Sequence, residues 1–101
     1  MTEAQSKFEI YLTVLRFIAF KVTDNLRRIY LDIDELNKKA ILTAYYKSKP
    51  SELEIELLDD ICTNSSAHLP EHSVDSLINY KNQNLTKLNH EFVIFSVYES
   101  D

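Results

Sequence analysis

Not one of the 101 residues is glycine. Phosphate-cradling loops and dinucleotide-binding turns need backbone that approaches a ligand closely and adopts positive φ, which glycine does at no steric cost. Nucleotide-binding loops of those types are therefore argued against from the outset. Wherever a turn demands the left-handed region, another residue has to take it. Asn25, Asn37, Asn64, Asn79, Asn82, Asn84 and Asn89 are the best substitutes available.

The length suits one domain spanning residues 1–101, with enough chain to bury a single core. Hydrophobic residues make up 45% and charged residues 27%, so the disorder signature of low hydrophobicity with high net charge is missing. The single cysteine, Cys62, has no internal disulfide partner, and residues 1–5 lack the basic region of a secretory signal. A cytoplasmic location is expected. The most apolar stretch, residues 10–22, carries Thr13, Arg16 and Lys21 and is too short for a membrane span.

Charge is divided unevenly along the chain. Residues 1–50 hold nine Lys or Arg against six Asp or Glu, a balance of +3, whereas residues 51–101 hold two against ten, a balance of −8. Such a negative field repels nucleic acid and steers basic partners toward it. Direct nucleic-acid binding is not expected, and Arg27-Arg28 would in any case point to opposite faces of a strand.

Residues 7–22 place Phe8, Tyr11, Leu12, Leu15, Ile18, Ala19 and Val22 at three- and four-residue steps, which predicts a helix burying that stripe. Ile10, Val14, Phe17 and Phe20 fall off the stripe, leaving the helix apolar nearly all round. Residues 26–33 then alternate, with Ile29, Leu31 and Ile33 on one face and Arg28, Tyr30 and Asp32 on the other, as in a half-buried strand. A polar turn at 34–38 leads into a second strand at 39–47, pairing back as an antiparallel hairpin.

Pro50 stops that strand, and Ser51 with Glu54 forms a capping box that opens a second helix. Leu53, Leu57, Leu58, Ile61 and Cys62 line its apolar face, Glu52, Glu56, Asp59 and Asp60 the opposite side, with Glu54 between them and Asn64-Ser65-Ser66 at its end. Residues 67–91 are the least legible, with a short strand expected near 74–81. The apolar run 92–98 predicts a final, well-buried strand. The fold class is α+β, a small antiparallel sheet in α-β-β-α-β-β order with two helices packed against it.

Little in this text points to catalysis. His68, His72 and His90, with Cys62, Glu71 and Asp75 near in sequence, raise the question of a metal, but Leu69-Pro70 breaks the helix that would align His68 with His72. No cofactor or metal is expected. Cys62 continues the apolar face of helix two and reads as a core thiol rather than a nucleophile. The sequons Asn64-Ser65-Ser66 and Asn84-Leu85-Thr86 carry no weight in a cytosolic chain. What remains is the acidic ridge Glu52, Glu56, Asp59 and Asp60, extended by Glu71 and Asp75. It is either a solvated helix face or a row of carboxylates that imitates phosphates.

The segment Val22-Thr23-Asp24-Asn25-Leu26-Arg27-Arg28-Ile29-Tyr30, the hairpin into Leu42-Thr43-Ala44-Tyr45-Tyr46, and Ser51-Glu52 opening an acidic helix resemble small immunity proteins of bacterial contact-dependent growth inhibition and related polymorphic toxin systems. The resemblance covers residues 8–70. It implies a cytosolic, non-enzymatic protein that binds the C-terminal domain of a cognate toxin, a nuclease in many such systems. On the charge argument, Glu52, Glu56, Asp59 and Asp60 are the expected contacts, with Tyr45 as an aromatic hot spot and Glu71 and Asp75 as additions. The expected state is a monomer or weak homodimer, away from membranes. The competing readings are an adaptor or regulatory module for an endogenous bacterial partner, a small enzyme built on carboxylates or histidines, and an obligate oligomer joined through helix one.

Overall fold

Both helices begin at reciprocal capping boxes. The computed structural model describes residues 2–80 and 89–97, with α1 at Glu3–Arg16 and α2 at Glu52–Ala67. The Gln5 amide donates to the Thr2 hydroxyl at 3.1 Å, and the Thr2 amide donates to the Gln5 side chain at 2.9 Å. Ser51 and Glu54 repeat the exchange at 3.2 and 3.0 Å. Each box satisfies amides that a first helical turn leaves unbonded, a gain of about 1 kcal/mol per cap.

Helix α1 differs from expectation in extent and in the face it buries. It starts at Glu3 and stops at Arg16, well before Val22. Ile10 and Val14, expected off the stripe, are the buried pair, with Tyr11, Leu15, Phe17 and Ile18 packed beside them, whereas Phe8 and Leu12 are exposed. A helix that is apolar on nearly every side carries no periodic signal strong enough to choose a face, so its neighbours α2 and the last strand choose. Beyond α1 the chain passes through turns, one closed by the Lys21 amide donating to the Ile18 carbonyl at 3.0 Å, with Phe20 at φ 64, and the next by the Leu26 amide donating to the Thr23 carbonyl at 3.1 Å.

Four strands follow the expected order: β1 Leu26–Asp34, β2 Lys39–Tyr46, β3 Ser73–Asn79 and β4 Phe92–Ser96. In space they lie β3-β2-β1-β4. β1 and β2 form the predicted antiparallel hairpin, with Asp34 opposite Lys39 and the loop 35–38 between. The Asp34 carboxylate accepts from the Asn37 amide at 3.2 Å and from its side-chain nitrogen at 2.7 Å, while Lys38 closes the loop at φ 54. Among the described residues the left-handed non-glycine positions are thus Phe20 and Lys38, not the asparagines. Loop closure dictated the backbone there, and the residue present has to adopt it.

The α+β class and α-β-β-α-β-β order hold, but the sheet is mixed rather than purely antiparallel: β3 runs parallel to β2. Helix α2, 16 residues at a rise of about 1.5 Å each, is nearly as long as the 8-residue β2 at about 3.3 Å each. It returns the chain to the end where β2 began, so the next strand sets off in the same direction. β4 is likewise corrected from a well-buried strand to an edge. Among the described residues it pairs only with β1, across an irregularity that leaves Ile94 without a Cα partner, and Ile94 is its one buried residue while Val93 is exposed. Lys81, Asn82, the sequon at Asn84 and Tyr98 lie outside the described residues.

Both helices cover one sheet face. Ile29, Leu31 and Ile33 of β1, Ala40, Leu42, Ala44 and Tyr46 of β2, and Val74 of β3 pack with Ile10, Val14, Leu58, Ile61 and Cys62 in one core. Leu53, expected on the apolar face of α2, is exposed, and the helix runs on through Ser65, which is fully buried. Among the described residues the Ser65 hydroxyl has no hydrogen-bond partner, and a buried hydroxyl in that state costs stability. Ser65→Ala is therefore expected to stabilise the chain by about 1 kcal/mol. Lys38→Gly, which removes the left-handed penalty, should add about 0.5–1 kcal/mol. Urea unfolding checks both: the midpoint should rise with an unchanged slope.

Candidate functional site

The residues that choose the exposed face of α2 are those that choose its buried one. Leu58, Ile61, Cys62 and Ser65 turn inward, so Glu52, Glu56, Asp59 and Asp60 fall on the outer side and are exposed. Among the described residues Glu52, Glu56 and Asp59 make no ion pair, while Asp60 meets the Lys21 ammonium at 3.3 Å. Asp59 and Asp75 line one depression between α2 and the edge strand β3, with Cys62, Thr63, Ser66 and Ser76. Burial, helped by nearby Asp59, pushes the Cys62 thiol up to about 11, which leaves it unreactive.

Glu71 and Tyr45 lie elsewhere. Glu71 sits beyond the end of α2, beside Glu3, Ser6 and Glu35. Tyr45 faces the side of the sheet away from the helices, is 6% exposed, and holds the His90 Nε2 at 3.2 Å through its hydroxyl. Burial, then the neighbouring Tyr30 and Asp32, raises its pKa. The expected contact set is therefore split, with the acidic row and Asp75 near one another and the other two apart.

Glu54, which periodicity left between the two faces, joins the row to the chain before β1. It is buried, and its carboxylate accepts from the Thr23 hydroxyl at 2.5 Å, the Asn25 side-chain nitrogen at 3.3 Å and the Ser51 amide at 3.0 Å. Burial alone would raise its pKa, but hydrogen bonds from Thr23, Ser51 and Asn25 outweigh it and hold the carboxyl below its ordinary value. Asn25 in turn accepts from the Ser48 amide at 2.9 Å, so the start of β1 and the end of β2 close on the same point. Lys21–Asp60 and Thr23–Glu54 together lay the segment 20–23 along α2.

A second polar cluster escaped the sequence reading. Asp32 accepts from the Glu91 amide at 3.0 Å and holds His90 Nδ1 at 2.5 Å, and the His90 ring stacks on Tyr30 with centroids 4.4 Å apart. Arg28 donates to the Tyr30 hydroxyl at 2.8 Å. Strand alternation had placed Arg28, Tyr30 and Asp32 on one face, but nothing local announced His90 as their partner. The chain Tyr45–His90–Asp32 anchors the lead-in to β4 onto the sheet.

The other histidines are engaged separately: His72 Nε2 meets Glu35 at 2.9 Å, and His68 lies at the end of α2 with its ring 5.0 Å from Phe17. Among the described residues no group of three His, Cys, Asp or Glu side chains is placed to hold a metal ion. Nor, among them, is any helix long and apolar enough to cross a membrane.

Residues 7–99 match the family described as MafI2 immunity protein. The chain belongs to the MafI2 immunity protein family. The match includes both edges of the sheet and so extends past the stretch that carried the resemblance in the sequence. A comparison with curated proteins returns no match. Membership makes this an immunity protein of a polymorphic toxin system, whose partner is a cognate toxin.

The Glu54 network gives the immunity protein a defined acid response. A carboxyl whose folded pKa is depressed contributes stability in full above the ordinary value of 4.5 and loses it as pH falls through the folded value. Glu54→Gln should cost about 2 kcal/mol at neutral pH. Denaturation midpoints measured from pH 7 down to pH 3 should converge on those of the parent chain at the acid end.

Proposed function

We propose that this immunity protein neutralises a nuclease toxin domain in the cytosol, by laying the acidic row of α2 across the basic cleft with which the toxin holds nucleic acid. The observation that carries the reading is the exposed row Glu52, Glu56, Asp59 and Asp60. Steps of four residues from Glu52 to Glu56 to Asp60 place those three carboxylates about 6 Å apart along a rigid axis, with Asp59 beside the last of them. A fixed row of that kind offers charge at regular intervals without the ordering cost that a flexible acidic tail would bear. Asp75, sharing a depression with Asp59, extends the row onto β3, and Glu71 and Tyr45 are peripheral to it.

Inhibition in this reading is binding alone, in a one-to-one complex with no chemistry on the toxin. Steering dominates the encounter, because ten acidic against two basic residues in 51–101 set up a field that draws a basic partner in. The test has two parts. Co-expression with the cognate toxin domain should preserve host viability and yield a complex that co-purifies. Reversing Glu56→Lys and Asp60→Lys together should slow association about tenfold at low salt and flatten its dependence on ionic strength. Association rates equal to those of the parent chain at every salt concentration would remove the acidic row as the docking surface.

A further inference from the structure

Phe20 is 98% exposed and sits at φ 64, in the turn that the Lys21 amide closes onto the Ile18 carbonyl. Both features count against it within the folded chain. A bulky residue in the left-handed region pays for the approach of its Cβ to the backbone, and a phenyl ring wholly in water gains nothing from burial. Glycine would remove both disadvantages, and this chain has none. The position is also not loosely held. The adjoining Lys21 pairs with Asp60 and Thr23 bonds to Glu54, so the turn is tied to α2 on the side where Glu56 and Asp60 lie. Val22 on the same segment and Leu53 on α2 are exposed as well, at 42% and 61%.

We infer that Phe20 is the apolar anchor of the toxin-binding surface, entering an apolar pocket on the cognate toxin whose rim is basic. The inference rests on the acidic row of α2 being that surface, and it supplies what a row of exposed charges lacks. Rim charges accelerate encounter but add little to the lifetime of a complex, whereas a projecting aromatic that becomes fully buried governs how slowly partners separate. A ring on a segment tied through Lys21 to Asp60 of the acidic row fits a partner whose apolar pocket is rimmed by Lys or Arg, and the charge complementarity selects the toxin over a second acidic copy of this chain. Strain in the free protein is compatible with the role, since a turn fixed beforehand presents the ring without an ordering cost on binding.

The experiment compares the full chain with Phe20→Gly, Phe20→Tyr and the Glu56→Lys, Asp60→Lys pair. For each it measures the denaturation midpoint alone and the association and dissociation rates with the cognate toxin domain. Phe20→Gly is expected to raise the midpoint while speeding dissociation at least about tenfold, a combination that a structural role for Phe20 would not produce. Phe20→Tyr should dissociate like the parent. Dissociation of Phe20→Gly at the parental rate overturns the anchor, and with association slowed in the charge pair it does so while leaving the acidic row standing. Faster dissociation of Phe20→Gly beside an unaffected charge pair removes the acidic row and with it the basic-rimmed pocket, and so overturns the proposal as stated. A change in self-association without a change in toxin dissociation assigns the ring to a homodimer and overturns the proposal.

Discussion

The buried carboxylate of Glu54 is the joint on which the arrangement turns. It reaches back to the Ser51 amide as half of a capping box, and its oxygens also take hydrogen bonds from Thr23 and Asn25. One side chain therefore fixes the start of α2, the approach to β1 and, through Asn25 and Ser48, the exit from β2. A buried charge is tolerated only where its lone pairs are met, and here they are met by groups from two separate stretches of chain, the approach to β1 and the residue that caps α2. Nearby, the ion pair of Lys21 with Asp60 adds a more exposed contact that helps to align the same segment, though a pair of that kind contributes far less.

From that joint the division of labour between the two sheet faces follows. With α2 anchored at the end of β2, its length brings the chain back to the start of β2, and β3 has to run parallel beside it. Both helices then lie on the face of Ile29, Leu31, Leu42 and Ala44, and the opposite face is sealed in part by Tyr30, Tyr45 and His90. The acidic row is exposed because it is what remains of α2 once Leu58, Ile61 and Cys62 are committed to the core. A glycine-free chain meets its tightest corners with Lys38 and Phe20. The first is strain that a hairpin loop imposes, and the second is strain coupled to full exposure.

Much of the fold was legible. The Ser51 capping box, the alternation of β1, the hairpin and the bounds of β2 were readable because each depends on residues only a few positions apart. The face of α1 was not, since Phe8 and Leu12 have the same chemistry as Ile10 and Val14, and only the neighbours distinguish them. Of the candidate site, the four acids of α2 appeared on the exposed face that spacing assigned to them. Glu54 and the His90 cluster were hidden, because their partners lie 29 to 58 residues away.

Taken alone, the sequence determined the element order, the start of α2, the antiparallel hairpin and the outward row of carboxylates. These are set by periodicity, capping and turn chemistry, which act over one or two turns of chain. Only the tertiary structure decided that β3 is parallel, that β4 is an edge, which side of α1 is buried, and that segment 20–23 lies beside the acidic row. Those outcomes depend on closing long loops and on competition among apolar surfaces of similar quality, and neither leaves a local signature in the order of residues.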